Sequence, residues 1–334
     1  PSSLKRFTRA MGNEVPRGYD MEKEPAGRWG RAKAWAVYHG MKKSSREAVA
    51  IHVFSKDALK AVPKRDRERV LDTFRNDMKI LASLRHPSLL KVHEVLEENR
   101  KALVFVSEPV LGCLEDAWTR RRAVPVSEGD TPADGSSSAP RVAAKRASGD
   151  ASGVARLQSP RDALSTATAA HGVLQLSRAL SFLHAQGNRV HCDLCPANVL
   201  VTTGGGWRLA GLGLSLPLLH AADASRAQSV PCPYFSADAV RSREPVDAQP
   251  PGEPALSFAA PELTQPSPTA GPASDVFSLG LVAAVAFSAA RNIAACGPDA
   301  DPDPPHLLLD VTTHSPLAHA SAVSAVYLPA SGVV

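Results

Sequence analysis

The chain has 334 residues, 44% of them hydrophobic, with 38 Lys+Arg against 33 Asp+Glu for a net charge of +5. That is enough apolar material for one large or two ordinary domains with a sizeable core. The charge excess is mild and lies mostly in loop-like sequence, and aromatics make up only 5%, so the balance excludes a nucleic-acid groove and a base-stacking platform.

Residues 1–18 carry no periodicity and read as a flexible lead-in. "KAWAVYHG" (33–40) and "EAVAIHVF" (47–54) alternate apolar and polar positions, the signature of strands, and the polar "MKKSSR" joins them as a hairpin connection. "RDRERVLDTFRNDMKILASL" (65–84) places Val70, Phe74, Met78 and Leu81 on one helical face, with Pro63 before it and the turn "RHPS" after it. "KVHEVLEE" and "KALVFVSE" then read as two strands joined by "EENR".

From 120 to 163 the composition turns to Ala, Ser, Pro and Gly with scattered Arg. No apolar stripe is present to offset chain entropy, so this stretch reads as a disordered insert. "HGVLQLSRALSFLHAQG" (171–187) is a second helix, with a Val173, Leu176, Leu180, Leu183 stripe and Gly187 at its C′ position. Residues 217–256 are Pro-rich and polar. "SDVFSLGLVAAVAFSAA" (274–290) is apolar on all sides and reads as a buried helix. Its longest apolar run, 279–290, is too short to cross a bilayer. No basic-then-apolar leader opens the sequence, and no internal repeat is visible. Strands, a helix, two more strands, a linker and then helices make an α+β chain, β-rich first and helical second.

Five cysteines, an odd number, do not suggest a disulfide framework and fit a reducing compartment. Cys192 and Cys195 form a CxxC with no second pair at zinc-site spacing. They are either two small fillers or a redox or metal pair.

These elements and their motifs resemble the protein kinase fold. The helix ending in "LRHPSLL" (84–90) resembles αC and its following turn, and "SEPV" (107–110) resembles the hinge. "HCDLCPAN" (191–198) resembles H-R-D-L-K-P-x-N, "GLG" (211–213) D-F-G, "APE" (260–262) A-P-E, and "SDVFSLG" (274–280) the start of αF. The resemblance is strongest to the SCY-like pseudokinases, the N-terminal-kinase-like and coated-vesicle-associated group, through "HGMKKSSREAVAIHVFSK", "LRHPSLLKVHEVLEENRKALVFVSEPV" and "GGWRLAGLGLS".

The resemblance implies a two-lobe fold: an N-lobe and hinge over 19–110, a partial C-lobe over 111–290 around the insert at 120–163, and an unassigned tail over 291–334. The C-lobe reads as incomplete, and the resemblance implies that Glu262 pairs with a late arginine, of which only Arg291 follows it.

The resemblance also assigns roles. Phosphoryl transfer needs a cation on the phosphates, carboxylates for Mg²⁺ and a base at the accepting hydroxyl. His52 replaces the strand lysine, either as a weakened or pH-sensitive phosphate contact or as a histidine packed in a closed cleft. Asp77 takes the αC glutamate position and reads as a surface carboxylate or a neighbour of His52. The glycine loop is degraded: Gly27 and Gly30 do not keep its spacing, Trp29 and Arg31 crowd it, and Lys33 is a candidate relocated cation.

Asp193 is the candidate base, or else a brace for its own loop. Asn198 is the candidate Mg²⁺ ligand and Gly211 replaces the Mg²⁺ aspartate. Cys195 replaces the phosphate-neutralising lysine, and Cys192 the arginine that grips a phosphorylated activation segment. Asp275 caps the catalytic loop. Glu108 and Val110 offer hinge backbone to a nucleotide, so the implied cofactors are weakly held ATP and an insecure Mg²⁺.

Two functions follow from the resemblance. One is a catalytically impaired scaffold in clathrin-dependent trafficking, with clathrin or coat adaptors as partners and no transmembrane segment. It would be cytoplasmic, or peripheral on Golgi, endosome or coated-vesicle membranes. The other is a residual Ser/Thr kinase acting through Asp193 and Asn198.

Overall fold

The computed structural model describes residues 18–96, 98–117, 159–218, 229–234 and 253–296. The lead-in before Gly18, most of the insert and the tail beyond 296 lie outside the described residues. Strands β1 (Tyr19–Met21), β2 (Gly27–Trp29), β3 (Trp35–Lys42), β4 (Ala48–Ser55), β5 (Val92–Val95) and β6 (Ala102–Ser107) build one antiparallel sheet, in the order β1-β3-β4-β6-β5 with β2 paired to β3. The hairpin falls where alternation predicts, with Trp35 opposite Phe54 and Gly40 opposite Val49.

The period of two sorts β4 and β6 into two buried faces. Val49, Ile51 and Val53 join Val104 and Val106 on one side. Ala50 and Phe54 join Leu103 and Phe105 on the other, and helix α1 (Arg67–Ser83) packs there through Val70, Leu71, Phe74, Met78 and Leu81. The predicted stripe of α1 is therefore its buried face.

A second layer begins at β7 (Val110–Cys113). Helix α2 (Thr166–Ala185) follows, then β8 (Arg189–Val190), β9 (Val199–Thr202), β10 (Trp207–Leu209) and β11 (Leu216–Pro217). The hairpin β9–β10, which periodicity did not mark, joins β7 in a small sheet. Its residues Val199, Val201, Trp207 and Leu209 form a second core with Leu176 and Leu180 of α2.

Helix α2 starts earlier than its apolar stripe suggests. Ser165 and Thr168 close a capping box, each bonding the other's backbone N–H, which satisfies two orphan donors of the first turn. At its far end Gly187 stands at C′ and bonds back to Phe182 O at 3.0 Å, while Asn188 takes the left-handed conformation. The predicted insert ends sooner than composition indicates: residues 159–163 form a turn in which Pro160, Arg161 and Ala163 are buried.

The chain closes with β12 (Val230–Pro231) paired to β13 (Thr269–Ala270) and with helix α3 (Pro272–Cys296). Two readings are corrected here. Glu262 does not wait for Arg291: its Oε1 accepts the Ser274 hydroxyl at 2.5 Å, and Arg291 is exposed. Helix α3 is not buried all round either, because Val276 is 58% exposed. Its stretch Pro272–Arg291 is long and apolar enough to cross a membrane, with a mean hydropathy of 1.7. Here that apolarity is spent on packing, as Leu279, Val282, Ala286 and Ala290 sit in the second core against α2.

Candidate functional site

The cleft between the two layers brings together Gly30, Arg31, Asp77, Asp193, Asn198 and Gly211. His52, on the α1 face of β4, is fully buried. Its Nδ1 receives the Trp29 indole N–H at 2.8 Å, and its Nε2 lies 2.7 Å from Ser107 Oγ. An indole nitrogen can only donate, so Nδ1 carries no proton and Nε2–H donates to Ser107. Ser107 in turn donates to Glu108 O at 2.9 Å. The imidazole stacks on Phe105 with centroids 4.4 Å apart and planes 6° from parallel. Burial pushes its pKa down to about 3, so the ring is neutral and both nitrogens are spent. Of the two roles open in the sequence, this is the packed one; a phosphate contact would need the Trp29 bond broken.

Trp29 itself, where a glycine loop would arch, is fully buried and stacks on Trp35 at 5.8 Å and 11°. Each large ring buried this way contributes on the order of 1.5–3 kcal/mol. The loop continues by closing onto the opposite layer: Gly30 N–H donates to Ala197 O at 2.9 Å, and Arg31 Nε to Glu253 O at 3.0 Å. The backbone donor that would meet a phosphate is already bonded. Lys33 is turned away, to Glu115 at 2.5 Å and Asp116 at 3.1 Å. It is no inward cation.

Asp77 corrects its reading as a surface carboxylate or a partner of His52. It is buried, and its Oδ1 accepts the Leu212 N–H at 2.7 Å. The buried indole N–H of Trp35 faces it without reaching hydrogen-bond geometry. Burial pushes the Asp77 pKa up to about 7, and the Asp193 charge adds to the rise, while the Leu212 N–H opposes it. Helix α1 is thus tied to the glycine-bearing loop by a carboxylate that bonds main chain.

Asp193 is likewise buried. Its Oδ1 accepts Ala255 N–H at 2.7 Å and its Oδ2 accepts Asn198 Nδ2 at 2.8 Å. Asn198 Nδ2 also donates to Asp193 O at 2.8 Å. Two acceptors on one side fix the amide orientation, nitrogen toward Asp193. Burial raises the Asp193 pKa, opposed first by the Arg31 charge and then by the Ala255 N–H. The stretch carrying Ala255 lies on the carboxylate that a substrate hydroxyl would have to reach.

Gly211 adopts the left-handed region, φ 75° and ψ 38°. A Cβ there would lie 2.4 Å from Asn198 Cγ and 2.5 Å from its Oδ1. The missing carboxylate is therefore built in, because the space it would occupy holds Asn198.

Below this, Asp275 braces the loop as expected: it accepts His191 N–H at 2.7 Å and Cys192 N–H at 3.0 Å, with His184 Nε2 at 2.8 Å. The His191 ring adds a bond to Ala210 O at 2.9 Å.

The hinge groups are also engaged. Glu108 N–H donates to Lys91 O at 3.0 Å, its side chain accepts from Lys91 N–H and Arg208, and Val110 O takes His39 Nε2 at 3.2 Å. Between Trp35, Phe74, Asp77, Asp193, Asn198 and Gly211 the remaining space is about 30 Å³. That admits a water or two, whereas small-molecule sites run to roughly 300–1,000 Å³. The residues present do not fit a Mg²⁺–nucleotide pair: the loop amide is bonded, no carboxylate stands at Gly211, and Asn198 turns its amide nitrogen to Asp193. No group of three or more His, Cys, Asp or Glu that could hold a metal ion occurs among the described residues.

Sequence reasoning missed Ser107, Ala255 and the Trp29–Trp35 stack as parts of this site. The tryptophan-rich stretch was a visible signal; Ser107 and Ala255 act through positions that leave no local mark.

The model of the family described as protein tyrosine and serine/threonine kinase matches residues 27–293. SCY1-like protein 2 of Mus musculus is 28% identical over 287 residues, covering 85% of this chain and 26% of that protein. SCY1-like protein 2 of Homo sapiens is 27% identical, with the same coverage. The protein kinase domain-containing protein ppk32 of Schizosaccharomyces pombe is 30% identical over 282 residues, 82% of this chain and 32% of that protein. The chain thus spans about a quarter to a third of the length of these curated relatives. With the sheet, helix α1, the braced loop at 191–198 and helix α3 arranged as described, the chain belongs to the protein tyrosine and serine/threonine kinase family, and its similarity within that family runs to the SCY1-like proteins.

Proposed function

We propose that this chain is a kinase-like binding module that does not transfer phosphate. The observation that carries this reading is that the groups a phosphate would need are already engaged: His52 is buried, neutral and bonded to Trp29, and Gly30 N–H is bonded to Ala197 O. A phosphoryl-transfer site works by positioning and charge neutralisation, and each such stabiliser lost commonly costs roughly 10²–10³ in rate. Here the strand lysine, the Mg²⁺ aspartate and the loop lysine are His52, Gly211 and Cys195. The resemblance to SCY-like pseudokinases directs the module toward clathrin-dependent trafficking, with coat proteins or adaptors as partners, on the cytoplasmic face of Golgi or endosomal membranes.

A thermal-shift titration with ATP, with and without Mg²⁺, tests the first part. The expected result is no Mg²⁺-dependent rise in Tm. A Mg²⁺-dependent rise, together with phosphate incorporation that Asp193→Asn abolishes, would establish the residual Ser/Thr kinase instead. A pull-down with purified clathrin and adaptor subunits tests the second part, and failure to retain either removes the trafficking reading.

A further inference from the structure

Two neighbouring residues that are not glycine, Ala32 (φ 52°, ψ 25°) and Lys33 (φ 51°), stand in the left-handed region. An L-residue is destabilised there, and such strain persists only where the surroundings over-determine it. Ala32 is exposed, so packing of its own methyl does not impose the conformation. The constraint comes from both flanks.

On one flank the Gly30 N–H donates to Ala197 O at 2.9 Å and Arg31 Nε to Glu253 O at 3.0 Å. On the other, Lys33 Nζ donates to Asp116 Oδ1 at 3.1 Å and to Cys113 Sγ at 3.3 Å, and pairs with Glu115 at 2.5 Å. A closed circuit reinforces this end. The Cys113 thiol donates to Arg28 O at 3.4 Å, and Arg28 Nη1 donates to Lys33 O at 3.3 Å. The acceptor side is set by its own fold, because Asp116 Oδ2 takes the Cys113 N–H at 3.2 Å.

Every one of these ties is polar. Arg31, Ala32 and Lys33 bury no side chain, whereas Trp29 before them and Ala34 after them are buried and mark fixed ends. The side chains of Lys33, Glu115 and Asp116 are 34%, 33% and 28% exposed, so water and salt compete for their charges.

We propose that Gly30–Lys33 is a strained strap latched shut by Lys33, a conformational lid that opens over the cavity at Asp193 and Asn198 while the rest of the fold stays intact. Gly30 and Arg31 line that cavity together with Asp193 and Asn198, so the strap is one of its walls. Opening relaxes Ala32 and Lys33. The backbone strain therefore favours the open arrangement, and the latch opposes it. Lys33 is a positioning residue, and ionic strength shifts the balance through it. Trp29 and its bond to His52 stay in place, so opening requires no nucleotide and bears on neither outcome of the ATP titration.

The test is native-state hydrogen exchange on the full chain, read by NMR at the Gly30 amide. The amides of Ile51 and Val53, inside the sheet, serve as the reference for global unfolding. Gly30 should exchange well before the reference amides. Raising NaCl from about 0.05 M to about 0.5 M should speed it by roughly 2–5-fold. Lys33→Met, which keeps the stem and removes the charge, should speed it by roughly 2–5-fold at low salt and abolish the salt response. Ala32→Gly should slow it by roughly 5-fold through relief of the left-handed strain. Ala32→Asn, which tolerates that region without glycine's added freedom, should act in the same direction.

Gly30 exchanging together with Ile51 and Val53, in the parent and in Lys33→Met alike, would overturn the proposal, because the segment would then open only with the whole fold. So would Ala32→Gly and Ala32→Asn exchanging no slower than the parent, or a salt response that survives in Lys33→Met. If a variant lost the fold, as its reference amides would show, the salt series on the unaltered chain decides: no acceleration overturns the latch.

Discussion

Restoring an aspartate at Gly211 is the substitution that sequence comparison alone would suggest for reviving Mg²⁺ binding, and the structure predicts that it fails. The left-handed backbone there costs an L-residue roughly 1–2 kcal/mol, less for aspartate, which visits that region more readily. Strain is thus the smaller effect. The larger one is contact: a Cβ at 2.4 Å from Asn198 Cγ, 2.5 Å from Oδ1 and 2.7 Å from Nδ2 cannot be accommodated without moving the amide. Moving it breaks both bonds from Nδ2, to Asp193 O and to Oδ2. A buried polar group left unsatisfied costs about 1–3 kcal/mol. Together Gly211→Asp should destabilise by about 2–4 kcal/mol, a Tm loss of roughly 5–15 °C. The assays are thermal melting and a nucleotide titration with Mg²⁺. A variant that melts as the parent does and gains Mg²⁺-dependent ATP binding would refute the reasoning.

Asp77→Asn keeps the acceptor for Leu212 N–H and removes a titrating group. The folded pKa of Asp77 is about 7 against an ordinary value of 3.8, so the folded state binds the extra proton and its contribution to stability is lost as pH rises between those values. The stability of Asp77→Asn relative to the parent should therefore rise with pH by about 1 kcal/mol per unit from pH 4 to 7. His52 acts in the opposite sense, because its depressed pKa makes the folded state lose stability as pH falls from 6.5 toward 3. The parent should thus be flatter in this window than Asp77→Asn, as urea midpoints at successive pH values would show, and parallel profiles would contradict the assignment. Gly172→Ala places a methyl 2.1 Å from Trp207 Cδ2, and overpacking of this kind costs about 1–3 kcal/mol or more; an unchanged melting curve would refute the contact.

The legibility of this protein differs by element. Helix α1 and the β3–β4 and β5–β6 hairpins are readable because their burial follows local periods of 3.6 and 2. The start of α2 is not, because a capping box announces it rather than an apolar residue. The β9–β10 hairpin is hidden by the short apolar run "VLVT" and a glycine turn. The terminal helix α3 is legible as apolar, but not its exposed Val276, since composition carries no information about which face finds a partner.

The sequence by itself determined which chemical groups stand at each kinase-like position: His52, Asp77, Cys192, Asp193, Cys195, Asn198 and Gly211 are fixed by motif spacing. What each of those groups does was decided only in three dimensions. His52 is neutral because folding buries it, with its Nδ1 taken by an indole from another strand, and Asp77 is a main-chain brace because Leu212, 135 residues away, presents its N–H. Gly211 excludes a carboxylate because Asn198 fills the space, and Cys192 packs in a different apolar cluster from Cys195, its neighbour in the CxxC. Residue identity is local information, whereas hydrogen-bond partners and burial belong to segments that meet only when the chain folds.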